Sequence, residues 1–350
     1  MNEIELLRRR KASMDSVLKL DLDLDDLTVF TEAASGNYLY TPVMAAQAGA
    51  RVYAYAKDSK YGSAQAVGLR LKDECREMGI DDKVSVVYSR LKSAIQECDI
   101  ITNAGLVRPI DVETIQAMNP KAVVSLMYDP AEFRPEDVDL AECRNRGILV
   151  LGTNEESPVL DIMRYGGFLA TKLLFGEGLE VHLDNILVIG EGRLASNINH
   201  FFQATNVSSQ LVKPSLSAFR TLRIQQFDAI VVADMSRGSQ IIGPMGVLKP
   251  IEISQTNPAI QIAYICGEID VADLEKHGIA VHPREVAKPG SMAVTLDCLG
   301  PKATMRLNAA GLKVGEIMAR NRRVCPTLRD AYQASLAHPL VMDMQGGFLK

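Results

Sequence analysis

Apolar residues along this chain fall in short β-branched runs, and each run is followed by a stretch where they recur at helical spacing. After an amphipathic first helix, the run 27–34 closes on Ser35-Gly36-Asn37 and leads into a helical pattern over 39–49. The segment 51–56 alternates as a strand does, and 63–78 reads as a helix. Strands follow at 84–88, 99–102 and 122–127, joined by helical segments with Asp, Ser or Asn near their starts. The rhythm then restarts with a strand at 148–151, a long helix at 158–175 and a buried-type strand at 185–189. Further strands are predicted at 210–212, 229–233, 261–265 and 279–281, then helices at 301–320 and 327–337. Strands alternating with helices imply βαβ units on mainly parallel sheets. The expected fold is therefore α/β, with two Rossmann-like doubly wound domains and an interdomain cleft. One domain is expected over 1–157 plus 322–350, the substrate domain. The other is expected over 158–321, the dinucleotide-binding domain with its crossover helices.

Composition narrows the function. A chain of 350 residues fits two domains of ordinary size, and 47% hydrophobic with 23% charged residues is the balance of a soluble globular protein. A net charge of −5 and a pI near 5.7 argue against nucleic-acid or anionic-membrane partners, which reward a basic face. The absence of Trp also leaves few platforms for stacking bases. The N-terminus has no apolar core of the kind a secretory signal needs. Its Arg8-Arg9-Arg10-Lys11 run reads as the face of a solvated helix ahead of an organelle address. Six irregularly spaced cysteines suggest reduced thiols in a cytoplasm.

The sharpest motif is Gly190-Glu191-Gly192-Arg193-Leu194-Ala195, which follows a β-rich run and opens a helix. That is the G-x-G-x-x-A context of a dinucleotide site. The first Gly permits a tight turn, the second lets the backbone approach a pyrophosphate, and the small third residue lets helix and strand pack closely. The helix it opens, 194–202, presents its N-terminus to the phosphate, with Arg193 and Leu194 among the expected cofactor contacts. The next strand normally ends in an acid that holds the ribose 2′-hydroxyl, yet here Val212 is followed by Lys213-Pro214-Ser215. An ammonium and a hydroxyl accept a 2′-phosphate, so NADP is expected ahead of NAD. The alternative is that Lys213 is an ordinary surface lysine.

Three further stretches resemble the D-isomer-specific 2-hydroxyacid dehydrogenases. Arg146-Gly147-Ile148-Leu149-Val150, with Thr153-Asn154 and the helix beyond, is similar to that family's crossover into its cofactor domain. Phe227 to Val232 resembles the strand over its cofactor, which the resemblance continues into Asp234 as a cofactor contact. Gly267-Glu268-Ile269-Asp270 resembles its R-G-E-h-V-D segment. The family's substrate-carboxylate Arg stands immediately before that Gly-Glu pair, where this chain has Cys266. Its acid/base His lies in a P-H-x-G segment whose nearest match is Asp297-Cys298-Leu299-Gly300. A standard hydride transfer to a 2-keto acid needs a cation and a proton donor, and both are replaced here.

The two thiols read as nucleophilic or redox groups, or as small buried hydrophobes. His282, at a strand end, is the histidine placed nearest an expected ligand edge, and no metal centre is expected. The polar loops after the first-domain strands supply candidate substrate contacts at Asn37, Asn103, Arg108, Tyr128 and Asp129. Arg108 is suited to replace the missing carboxylate-binding Arg. The leading function is an NAD(P)-linked oxidoreductase for a small polar metabolite other than a simple 2-keto acid. Its alternatives are a non-redox lyase or transferase that retains a nucleotide site, and a non-catalytic binding protein. A homodimer is expected through 158–175, which carries Val159, Leu160, Ile162, Met163, Phe168, Leu169, Leu173 and Leu174 around most of its circumference.

Overall fold

The computed structural model describes residues 3–162, 164–236, 238–288 and 290–349, so Met163 of the expected dimer helix lies outside the described residues. The chain divides into two compact units, Met1–Asp161 with Pro301–Lys350, and Ile162–Gly300.

The first unit opens with α1 (Glu3–Lys19), then β1 (Thr28–Glu32), α2 (Tyr40–Gln47), β2 (Arg51–Tyr55), α3 (Ala64–Glu77), β3 (Val84–Val87) and α4 (Lys92–Glu97). It continues through β4 (Ile100–Thr102), α5 (Val112–Ala117), β5 (Val123–Leu126), α6 (Leu140–Arg146) and β6 (Leu149–Thr153). The second unit contains α7 (Tyr165–Gly176), β7 (Asn185–Ile189), α8 (Arg193–Ala204), β8 (Ser208–Val212), α9 (Leu216–Phe219) and β9 (Ala229–Ala233). After these come α10 (Pro250–Thr256), β10 (Gln261–Cys266), α11 (Val271–Lys276) and β11 (Ala280–His282). The chain then re-enters the first unit with α12 (Pro301–Val324), α13 (Leu328–Leu336) and β12 (Val341–Met342).

The first sheet has the order β12-β6-β5-β4-β1-β2-β3 and is parallel except for β12, which pairs antiparallel with β6. Its parallel part runs 3-2-1-4-5-6, so the winding reverses between β1 and β4. Strands β1, β5 and β6 are buried along their whole length, as strands covered on both faces must be. The second sheet, β11-β10-β9-β7-β8, is parallel throughout and reverses between β7 and β9. Its two faces carry separate apolar clusters, one under α7 and α8 around Phe202, the other around Tyr264 and Ile253.

Three expectations are corrected. The helix predicted from 158 begins at Tyr165. Asp161 takes a left-handed φ of 49°, which an α-helix does not accommodate, and the Arg306 guanidinium donates to the Leu160 carbonyl at 3.1 Å. The boundary expected at 321/322 falls instead before Pro301, because α12 lies on the first sheet. A Cβ at Gly311 would stand 2.6 Å from Met127 Sδ, and one at Gly315 would stand 2.7 Å from Ile100 Cγ2. The two glycines let the helix axis approach β4 and β5 closely. Finally, β12 was not predicted; two residues carry no readable period, and their strand exists only through pairing with β6.

Candidate functional site

In the second unit the fingerprint sits where the winding reverses. Gly190 follows β7, and a Cβ there would lie 2.3 Å from the Ala233 carbonyl oxygen at the end of β9 and 2.9 Å from Ala195 Cβ. Only glycine fits that gap, and Ala195, fully buried, is the small residue that closes it. Gly192 precedes α8 with a φ of 94°, in the region that favours glycine. Among the described residues nothing approaches within 4 Å of where its Cβ would be, which leaves open space beside the glycine. No side chain among the described residues caps α8, whose first turn follows directly on Gly192. Gly166 and Gly167 of α7 complete the arrangement. A Cβ on Gly167 would meet the Phe201 ring at 2.1 Å, so α7 and α8 pack backbone to side chain.

Around the same edge, Lys213 Nζ donates to Glu191 Oε1 at 2.9 Å, both side chains being exposed. The Ser215 hydroxyl caps α9 by accepting from Ala218 N–H. Asp234 is buried, and its Oδ1 accepts from Ser236 N–H at 2.9 Å, holding the turn after β9.

The structure places the remaining second-unit candidates differently from expectation. His282 was expected at the ligand edge. However, β11 is short and pairs with the first half of β10, setting His282 opposite Ala263, three residues before Cys266. At about 3.3 Å per residue this puts it about 10 Å short of the carboxyl edge. Its Nδ1 meets Glu177 Oε1 at 3.1 Å, beyond the end of α7. Cys266 is fully buried, and a bulge between Tyr264 and Cys266 turns Ile265 and Cys266 toward the same apolar cluster. Cys298 packs on that cluster too, and burial pushes its thiol above the usual range against the pull of Lys172. Both thiols therefore meet one apolar cluster, and burial there works against the thiolate at Cys298.

In the first unit the corresponding edge, beyond β1 and β4, is lined with buried polar groups. Glu32 ends β1, and its Oε2 accepts from Leu106 N–H at 2.8 Å. Burial raises its carboxyl above the usual range, with the Leu106 N–H and Arg108 pulling the other way. Asn37 is buried in the 3-10 turn that follows β1. Asn103, fully buried after β4, accepts from Met127 N–H through Oδ1 at 2.8 Å. Its Nδ2 is buried with no hydrogen-bond partner among the described residues. Asn308 Nδ2 is in the same state, three residues before the Gly311 that covers Met127. Such donors carry a desolvation cost until an acceptor reaches them.

In the same unit, Asp137 Oδ2 receives Arg108 Nη1 at 3.0 Å, the Tyr128 hydroxyl at 2.6 Å and Arg134 Nε at 3.3 Å. Burial alone would raise the Asp137 carboxyl, but Tyr128 and Arg108 outweigh it and hold it below the usual range. Burial and the same carboxylate raise the Tyr128 hydroxyl. Arg108 and Tyr128 are thus brought together, with the guanidinium 5.8 Å from the ring centre. Asp129 is turned to a structural task, its Oδ1 accepting from Ala131 N–H at 2.8 Å to cap a 3-10 turn.

Sequence reasoning missed Asp137, Asn308 and the part played by Glu191. A polar residue on the buried side of an apolar helix was the available signal for Asn308. Nothing local marks Asp137, which acquires its role from two arginines and a tyrosine folded onto it.

No family model matches the sequence, and no curated protein does. Solved structures do match in fold. A dipicolinate synthase chain from Bacillus subtilis is similar at a TM-score of 0.53 and 13% identity, over 86% of this chain and 98% of that one. The dipicolinate synthase chain of the same type from Bacillus halodurans is similar at a TM-score of 0.52 and 12% identity, over 83% of this chain and 98% of that one. The likeness is one of fold: an α/β chain of two units, each built on a doubly wound, mainly parallel sheet.

Proposed function

We propose that this protein is a nicotinamide-dinucleotide-linked oxidoreductase acting on a small polar metabolite. The observation that carries this reading is the fit of Gly190, Gly192 and Ala195: a gap only glycine fills, a left-handed glycine facing open space, and an uncapped helix start. Residues 190–195 would hold the pyrophosphate, and Asp234 would shape the turn beside it. A nicotinamide cofactor supplies hydride transfer when bound. Whether it is NAD or NADP depends on what meets the adenosine ribose at Glu191, Lys213 and Ser215. In the first unit, the unpaired amide nitrogens of Asn103 and Asn308 suit ligand oxygen atoms, and the Arg108–Asp137–Tyr128 group keeps a cation in that unit. Asn37 contributes to the same edge. The partner proposed for the outward side of α7, where Phe168 and Phe175 are exposed, is a second copy of this chain.

A second reading, dinucleotide binding without redox turnover, is favoured by one specific observation. The residues standing in for the family's catalytic pair are buried or part-buried thiols, and His282 lies away from the ligand edge. Titration of NAD and NADP into the purified protein, followed by absorbance at the reduced-nicotinamide band with polar 2-hydroxy and amino acids as hydride donors, separates the two. Binding with reduction supports the first reading, binding without it the second. If neither dinucleotide binds, the proposal fails.

A further inference from the structure

Resting on the dinucleotide reading above, the geometry points to Glu191 as the residue that selects the cofactor, favouring NAD over NADP. Strands β7 and β8 are adjacent and in register, Ile189 opposite Val212, so the residues just beyond them share the carboxyl edge of the sheet. The chain lacks an acid after β8. In its place stands Lys213, and its ammonium is already taken by the Glu191 carboxylate at 2.9 Å. The ion pair is exposed, with 70% and 57% of the two side chains accessible, so its contribution to stability is small. Its value lies in what it presents to a ligand.

A 2′-phosphate brings nearly two negative charges, and a phosphate reaching for Lys213 meets the carboxylate that holds it. It must break the pair and then sit beside a like charge. A ribose 2′-hydroxyl meets the opposite situation, because it donates to Glu191 Oε atoms while Lys213 keeps the carboxylate in place. Glu191 thus supplies, from inside the glycine motif, the acceptor that the end of β8 does not. The Ser215 hydroxyl, the other group suited to a phosphate, is engaged at the start of α9.

The test is calorimetric titration of NAD and of NADP into the intact protein and into its Glu191→Gln and Lys213→Glu variants, each first verified as folded by thermal melting. The wild type is expected to bind NAD about tenfold or more tighter than NADP. Glu191→Gln frees the ammonium, so NADP gains about tenfold, NAD loses severalfold, and the preference disappears or inverts. Lys213→Glu adds a second carboxylate at the same edge and widens the preference, weakening NADP more than NAD. The inference is overturned if the wild type takes NADP as well as NAD, or if Glu191→Gln leaves the ratio unchanged. Binding of neither dinucleotide to the wild type overturns the dinucleotide reading itself, a result distinct from NADP binding well.

Discussion

At the scale of single residues, environment assigns roles that residue type does not. Glu32 and Asp137 are both buried carboxyls of the first unit, and their surroundings move them in opposite directions. Asp137 is met by two guanidinium groups and a phenol, which outweigh its burial. Glu32 has one backbone N–H and a more distant Arg108, and burial wins. A carboxyl whose folded pKa is raised stabilises the native state fully below its unfolded value, here near 4.5, and that contribution is lost as pH rises through the folded value. Glu32→Gln keeps an acceptor for Leu106 N–H and removes the titration. The variant is expected to melt higher than the wild type near pH 8, where the buried carboxylate is disfavoured. Near pH 4 the difference should vanish. Scanning calorimetry at both pH values checks it, and a constant offset would show that charge at Glu32 is not the cause.

At the scale of elements, glycine positions decide how closely helices and strands approach. Gly190, Gly167, Gly311 and Gly315 each stand where a Cβ would collide with a neighbour. They differ in what they meet. Phe201 opposite Gly167 is a side chain and can turn aside, whereas Gly190 faces the Ala233 backbone at 2.3 Å. Backbone does not yield without moving β9. Gly190→Ala is therefore expected to lower stability by about 1–3 kcal/mol, the usual range for overpacking, and to weaken dinucleotide binding tenfold or more. Chemical denaturation and titration measure the two effects. Wild-type stability in that variant would mean the β7–β9 edge is looser than its geometry implies. Helix starts were legible in advance for a simpler reason: Ser63 caps α3 and Asp111 caps α5 with side-chain oxygens, a local interaction that sequence spacing encodes.

At the scale of the whole molecule, the open question is assembly. Leu160 and Ile162, two residues that made 158–175 read as apolar on all sides, are buried within the chain. On α7 itself Leu169, Leu173 and Leu174 also face inward, leaving Phe168 and Phe175 at 51% and 59% exposure. The outward apolar surface is therefore narrower than the sequence suggested, though its two aromatic rings are the kind of anchor interfaces use. We expect a homodimer at micromolar concentration, converted to monomer by Phe175→Lys. Light scattering decides it, and a monomeric wild type would remove the partner.

Local pattern along the chain was enough to establish the α/β class, the strands β1 to β11, the longer helices and the fingerprint at Gly190. These rest on periodicity, capping and one motif, all properties of residues close together in the chain. The same pattern marked Asn103, Arg108 and Tyr128 as polar residues following strands, since strand ends are readable from it. Which of them meet became visible only once the chain was folded. Arg108 and Tyr128 converge on Asp137 because the loop after β5 pairs Val138 with Ile110, two residues beyond Arg108. His282 leaves the ligand edge because β11 registers with the first half of β10 and stops there. Lys213 loses its freedom to Glu191 because β7 and β8 lie side by side, although 22 residues separate the pair in sequence. Each of these depends on strand pairing and register, which are settled by the packing of distant segments and leave no local trace.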